Sequence, residues 1–433
     1  MTGPTLTGPT LRRTLGLADA TLIGLGAMIG AGIFTALTPA AAAAGSGLLI
    51  GLAVAAVVAY CNATSSARLA ALYPVSGGTY VYGRERLGPF WGYLAGWGFV
   101  VGKTASCAAV ALTVGVYAWP AYAHQVAVIV VLAVTAINLV GVQKSARVTT
   151  AIVVVVVAVL AAVVVSAAVW GPTSNSGELS RLWPGSDVDV YGVLQSAGIL
   201  FFAFAGYARI ATLSEEVRDP EHTIGRAIRI ALAFTLVVYA AVAVTCLWVL
   251  GPSGLANSAA PLADTASAVG AHWLTPVVRV AAAVAATGSL LALILGVSRT
   301  TLAMARDRHL PAPLAAIHPR FATPHRAEIA VGIVVAVVTA IADIRSAIGF
   351  SSFGVLVYYA IANASAFTLR ARGSRRIPIV PVLGAVGCLI LTFTLPLASA
   401  LSGLAVLALG AVLYGIRLTV KHFRPSRNPA EPG

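Results

Sequence analysis

Residues 24 to 34 read GLGAMIGAGIF, inside a long apolar segment where a membrane helix should run unbroken. Gly24, Gly26, Gly30 and Gly32 all fall in it. Glycine weakens a helix and lets another group approach the backbone closely. An interruption at membrane depth is tolerated only where it lines a cavity or is buried in protein. The stretch therefore predicts a site near mid-membrane, built from backbone rather than side chains. A second reading stays open beside it: Gly26 and Gly30 have the spacing that lets two helices pack closely.

Around that stretch the chain has 433 residues, 59% hydrophobic and 10% charged, with a mean hydropathy of +0.90. Soluble domains carry about 25% charged residues. Apolar segments of roughly 20 residues recur along the whole length, the pattern of an all-α, multi-pass membrane protein. A β-barrel would alternate polar and apolar residues in strands of ~10 residues; the run IVVVVVAVLAAVVV at 152–165 does not. The net charge of +14 argues for basic loops on one membrane face, not for a nucleic-acid partner. Cys61, Cys107, Cys246 and Cys388 fall in apolar segments without metal or redox spacing and read as small packing residues. Arg12-Arg13 faintly resembles a twin-arginine signal, but the long, glycine-broken segment after it reads as an uncleaved first helix.

Twelve spans are expected, at about 20–44, 47–71, 88–117, 124–141, 148–170, 190–212, 227–250, 274–303, 327–343, 347–369, 378–395 and 399–420. An even number puts both termini on one side. That side collects most of the cations, among them Arg12, Arg13, Arg84, Arg86, Lys144, Arg226, Arg306, Arg320 and Arg376. The other has little beyond Arg181, Arg279 and Arg345. Positive loops face the cytoplasm, so both termini are expected there, in the cell membrane. The loops leave no room for a soluble domain. Residues 1–423 read as a single transporter domain and 424–433 as a short, basic, disordered tail.

A second weak point, FFAFAGYAR at 201–209, sits in the sixth span and centres on Ala205-Gly206. It lies five spans after the first, so units 1–5 and 6–10 would enter the membrane from opposite sides. Interrupted helices at matching positions of two halves point to a transporter site. The expected architecture is a five-plus-five inverted repeat, about 20–170 and 190–370, with broken helices 1 and 6 and two extra helices at 378–420.

Four motifs in collinear order carry a family resemblance. They are GAMIGAGIF in the first span, YPVSGGTYVYGRERLG at 73–88, SEEVRDPEHTIGRAI at 214–228 and SRTTLAMARDRHLPAPLAAIHPRFATPHRAEI at 298–329. With these the chain resembles the amino acid–polyamine–organocation (APC) superfamily of amino acid permeases over about residues 15–370. The resemblance implies the inverted-repeat fold and amino acid transport.

Unwinding around Ile29, Gly30, Ala31 and Gly32 would free N–H groups at a half-helix N-terminus, which suits a carboxylate. Freed carbonyls there, and from Phe202 to Ala205 and Gly206, suit an ammonium. One pair of breaks would hold both ends of an amino acid zwitterion without a charged side chain. In the family, the position of Phe202 often carries an aromatic gate. The arginine/agmatine branch has an acidic residue where Ala208 falls and a tryptophan where Leu293 falls. Without either, a guanidinium loses its charge partner and its aromatic face. The resemblance therefore implies a neutral, small or apolar amino acid, with Ala205 and Leu293 lining the pocket.

Lys103 lies near the middle of span 3, where insertion of a lysine costs on the order of 3 kcal/mol and normally marks a cavity or partner. Several proton-coupled family members carry a lysine in span 5, at the position of Val156 here. Lys103 is thus a coupling candidate for protons; the alternative is a structural lysine bonded to carbonyls. Glu215 and Glu216, with Arg209 or Arg218, are candidates for a cytoplasmic gate, against a solvated loop start. Thr287, Ser289 and Ser298 offer oxygens for sodium, although such hydroxyls usually bond back to their own helix. His309, His318 and His325 lack zinc spacing. No cofactor motif, P-loop or nucleophile elbow is present. The leading reading is a secondary active transporter working by alternating access, with an uncoupled exchanger or exporter as the alternative. A membrane enzyme or a channel is the reading from another class. The spans hold almost no acids or histidines, with Asp19 at the mouth of span 1 and Lys103 alone, which disfavours an enzyme. Oligomeric state is not legible in the sequence.

Overall fold

The structure is a computed structural model that describes residues 15–73, 77–141, 146–171, 179–183, 185, 188–207, 210, 217–321, 323–369 and 378–423. Helices and the short turns that join them make up the described residues. Their one isolated β-bridge joins Leu15 to Val217. Ten helical stretches are long and apolar enough to cross a membrane. His325–Ile341 and Ile379–Thr394, where spans 9 and 11 are expected, are shorter, at 17 and 16 residues.

The first expected span is three helices in series: α1 (Leu17–Met28), α2 (Gly32–Thr35) and α3 (Leu37–Ala44). Then follow α4 (Leu48–Leu72), α5 (Thr79–Leu87), α6 (Pro89–Ala118), α7 (Ala123–Leu139), α8 (Ala146–Trp170), α9 (Val190–Phe204) and α10 (Pro220–Asn257). The chain ends with α11 (Pro261–Ala268), α12 (Leu274–Arg306), α13 (His325–Ile341), α14 (Ile344–Phe367), α15 (Ile379–Thr394) and α16 (Leu397–Phe423).

Local chemistry sets these boundaries. Asp189 and Asp343 cap α9 and α14, accepting from the backbone N–H of Gly192 (2.9 Å) and Ser346 (3.0 Å). Pro89 and Pro220 stand at the first position of α6 and α10, where a missing N–H costs nothing. Gly251, at φ 68, breaks α10 near its end. The expected external loop 251–273 holds α11, whose Leu262, Ala263 and Ala266 are fully buried. It packs on α12, α10 and α2. Eight residues are too few for periodicity to reveal such a helix.

Helix contacts recur in matched pairs. Helix α4 packs on α9, as α10 packs on α1 and α3; α6 packs on α14, as α12 packs on α8; α6 meets α7, as α12 meets α13. Small residues bring the axes together. A methyl at Gly102 would stand 3.1 Å from the Cα of Gly354, and one at Gly332 would overlap Thr135.

On the basic face, α5 is tied to the end of α12. The Tyr80 hydroxyl donates to the Asp307 carboxylate, and Arg84 pairs with the same oxygen at 2.8 Å. His309 Nδ1 lies 2.8 Å from the Tyr80 oxygen, which fixes its proton on that nitrogen. The ring also packs edge-on to Tyr93 and against Tyr414 of α16. Burial, and then the charge of Arg417, holds the His309 imidazole below its ordinary range.

Candidate functional site

The helix that begins at Leu17 stops at Met28 and resumes at Gly32. Ile29 leaves helical geometry, at φ −79 and ψ 60, and the N–H of Gly30 turns back to the carbonyl of Met28 at 2.8 Å. Helix α2 therefore starts at mid-segment with its first N–H groups outside the intrahelical ladder. The second weak point behaves similarly. Helix α9 ends at Phe204 and Ala205–Tyr207 tighten into a 3₁₀ turn, the N–H of Ala205 returning to the Phe202 carbonyl.

The two breaks lie against each other, backbone on backbone. A methyl at Gly32 would stand 2.7 Å from the Cα of Ala203. A methyl at Gly206 would stand 2.2 Å from the carbonyl oxygen of Ala27. Contacts under 3.0 Å against backbone are not accommodated, so both positions require glycine. Gly24 and Gly26, still helical, have the close-packing role: a methyl there would strike Ile210 and Thr149 respectively. Gly30 faces Ser289 of α12, whose hydroxyl would lie 2.0 Å from a methyl. That hydroxyl is buried and has no hydrogen-bond partner among the described residues. Thr287 and Ser298 bond back to Ala283 and Ile294, both at 2.8 Å.

Tyr239 of α10 joins the breaks from behind. It is 1% exposed, and its hydroxyl lies 2.5 Å from the Met28 carbonyl and 3.1 Å from that of Ala203. Sequence reasoning missed it, because a tyrosine in an apolar span reads as packing. Tyr117 of α6 donates to the Phe34 carbonyl at 2.9 Å and packs edge-on to its ring, fixing the far end of α2. Of the carbonyls expected to face an ammonium, that of Phe202 is occupied by Ala205 and that of Ala203 is shared with Tyr239.

Phe202 is half-buried and touches both apolar clusters of the core. One holds Ile29, Phe201, Ala205 and Tyr239; the other holds buried Ala31, Cys107 and Leu290, with Leu293 packed against it. Ala31, Phe202 and Leu293 thus belong to one apolar cluster. Val156 is fully buried in the cluster of Met28 and Ile29. Lys103 is 8% exposed, one turn before Cys107, and has no ion pair among the described residues. Ala208, Arg209, Glu215 and Glu216 lie outside the described residues. Next to them, the N–H of Arg218 donates to the Leu15 carbonyl at 2.9 Å, linking the approaches to α1 and α10.

One acid is added to those counted in the sequence. Glu328, in the first turn of α13, is fully buried, with no hydrogen-bond partner for either carboxylate oxygen among the described residues. Asn138 on the facing α7 donates to the Leu291 carbonyl at 3.2 Å, while its own side-chain oxygen has no partner among the described residues.

The family model described as amino acid permease matches residues 15–414. An uncharacterized transporter of Mycobacterium tuberculosis is 68% identical over 407 residues, 94% of this chain and 92% of that protein. The branched-chain amino acid permease BcaP of Bacillus subtilis is 26% identical, covering 93% and 92%. A methylthioribose transporter of the same organism is 28% identical, covering 93% of each chain. With its core of long apolar helices and two backbone breaks in contact, the chain belongs to the amino acid permease family.

Proposed function

We propose that this permease is a secondary active transporter that moves a neutral, small or apolar amino acid across the cytoplasmic membrane by alternating access. The observation that carries the reading is the contact of the two breaks, Gly32 on Ala203 and Gly206 on Ala27. It sets the free N–H end of α2 beside the carbonyl-rich end of α9. A carboxylate is held at the first, where the half-helix dipole is positive, and an ammonium at the second. Phe202 and Leu293 supply an apolar wall for the side chain. No acid among the described residues stands there for a guanidinium, and one relative is named for branched-chain amino acids.

The fold proposed is twelve spans, with spans 1–5 and 6–10 related by inversion and the termini cytoplasmic. The paired helix contacts support it, since the contacts of α4 with α9, α6 with α14 and α6 with α7 each have a counterpart in the second half. Lys103 is the proposed coupling residue: its i+4 neighbour Cys107 packs in the cluster that holds Ala31, so the lysine shares the helix face turned towards the break. The gate pair Glu215 and Arg209 remains part of the proposal on sequence grounds.

The test is counterflow in proteoliposomes with a panel of labelled amino acids, with and without a pH gradient. Saturable exchange of small or branched neutral amino acids is expected. Selective exchange of cationic amino acids, or of a methylthio sugar and no amino acid, would overturn the substrate assignment.

A further inference from the structure

A groove of about 430 Å³ lies on the basic face between α4 and α10, with Leu369 also in its lining. Its wall is apolar, from the successive turns Ala63, Ala67 and Ala71 of α4 and from Ile228 and Leu232 of α10. Its polar contributors include two arginines, Arg68 and Arg229, one from each helix. Neither is in ion-pair contact with a carboxylate among the described residues. Arg229 folds back over its own helix, a guanidinium nitrogen passing 3.7 Å from where a methyl of Gly225 would be. The surface beside the groove is apolar and exposed, with Tyr60 at 47%, Leu72 at 53% and Ile230 at 49%. In a membrane protein such side chains face lipid.

Two like charges on one groove repel unless an anion lies between them, and guanidinium pairs bind phosphate in a forked geometry. A soluble anion would leave the alanine wall unused. A phospholipid uses both parts: basic pockets between membrane helices hold anionic headgroups, while an acyl chain can lie along a wall of small residues. We propose that this groove is a binding site for an anionic phospholipid, its phosphate on Arg68 and Arg229 and one acyl chain along the α4 alanines. Because α4 and α10 carry the segments that pack behind the two breaks, the bound lipid would brace the helices that hold the transport site.

The test uses the purified full-length protein in neutral detergent, titrated with short-chain phosphatidylglycerol, the matching phosphatidylcholine and inorganic phosphate. Binding is read as a shift in melting temperature and by native mass spectrometry. Saturable binding of phosphatidylglycerol is expected, with little from phosphatidylcholine or phosphate. Arg68→Gln with Arg229→Gln should weaken it by about thirtyfold. If that double variant is unstable, Ala67→Trp fills the groove with both charges in place and should abolish binding. Equal binding of the two lipids, full displacement by phosphate alone, or unchanged binding in Ala67→Trp would each overturn the proposal. None of these readouts depends on which substrate is carried.

Discussion

Gly32 and Ala203, 171 positions apart in sequence, touch through their backbones: a single methyl on Gly32 would lie 2.8 Å from the Ala203 side-chain carbon. Gly32→Ala and Gly206→Ala should therefore impair uptake by about ten- to a hundredfold, since overpacking of this kind costs about 1–3 kcal/mol. Gly296→Ala, where a methyl meets nothing within 4 Å, should leave uptake unchanged. Initial rates at matched protein levels check this; normal transport by Gly206→Ala would place the site elsewhere.

Tyr239→Phe removes the hydroxyl shared by the Met28 and Ala203 carbonyls and nothing else. Losing one buried hydrogen bond costs about 1–2 kcal/mol, so substrate affinity in counterflow should fall about five- to thirtyfold. An unchanged KM and melting temperature would mean that the hydroxyl positions neither break.

Lys103→Met should abolish the dependence of uptake on an imposed pH gradient while counterflow, which needs no driving ion, continues. Lys103→Arg, charged at every accessible pH, should behave like the methionine variant. Gradient-driven accumulation by Lys103→Met would assign coupling to another group.

The breaks were legible because glycines sit where a membrane helix has no reason to place them. Their partner was not. The bond from Tyr239 to Met28 spans 211 positions, and no local pattern marks a tyrosine that reaches a carbonyl. Glu328 falls at the very start of the expected span 327–343, and it was passed over because HRAEIA reads as the end of a basic loop. Helix α11 was hidden by its length. Ser289 looked like any other hydroxyl in a membrane helix; only its missing back-bond sets it apart from Thr287 and Ser298.

Glu328 is reached electrostatically by Arg299 of α12 but is in ion-pair contact with no described residue. Burying a carboxylate without partners is unfavourable, and replacing such a group by an apolar one of similar size often stabilises. Glu328→Leu should raise the melting temperature, by about 1 kcal/mol or more of stability. A marked drop instead would mean that the carboxylate has a partner in another conformation of the transport cycle.

The basic-face contact of His309 predicts a pH response. Its folded value lies below the ordinary 6.5, so the unfolded chain binds the proton more readily. Stability is then full above about 6.5 and is lost as pH falls from there towards the depressed folded value. Melting temperatures between about pH 7.5 and 5 should decline, and His309→Gln should flatten the decline. An equal decline in that variant would move the response to other groups.

The hydroxyl of Tyr239 and the two glycine contacts have a mechanical meaning. Elements in contact through main chain cannot slide past one another as side chains can, so the two interrupted helices and α10 form one joined unit. Under the alternating access proposed above, opening to either side would turn that piece as a block against α6 and α12, along the line where Gly30 meets Ser289.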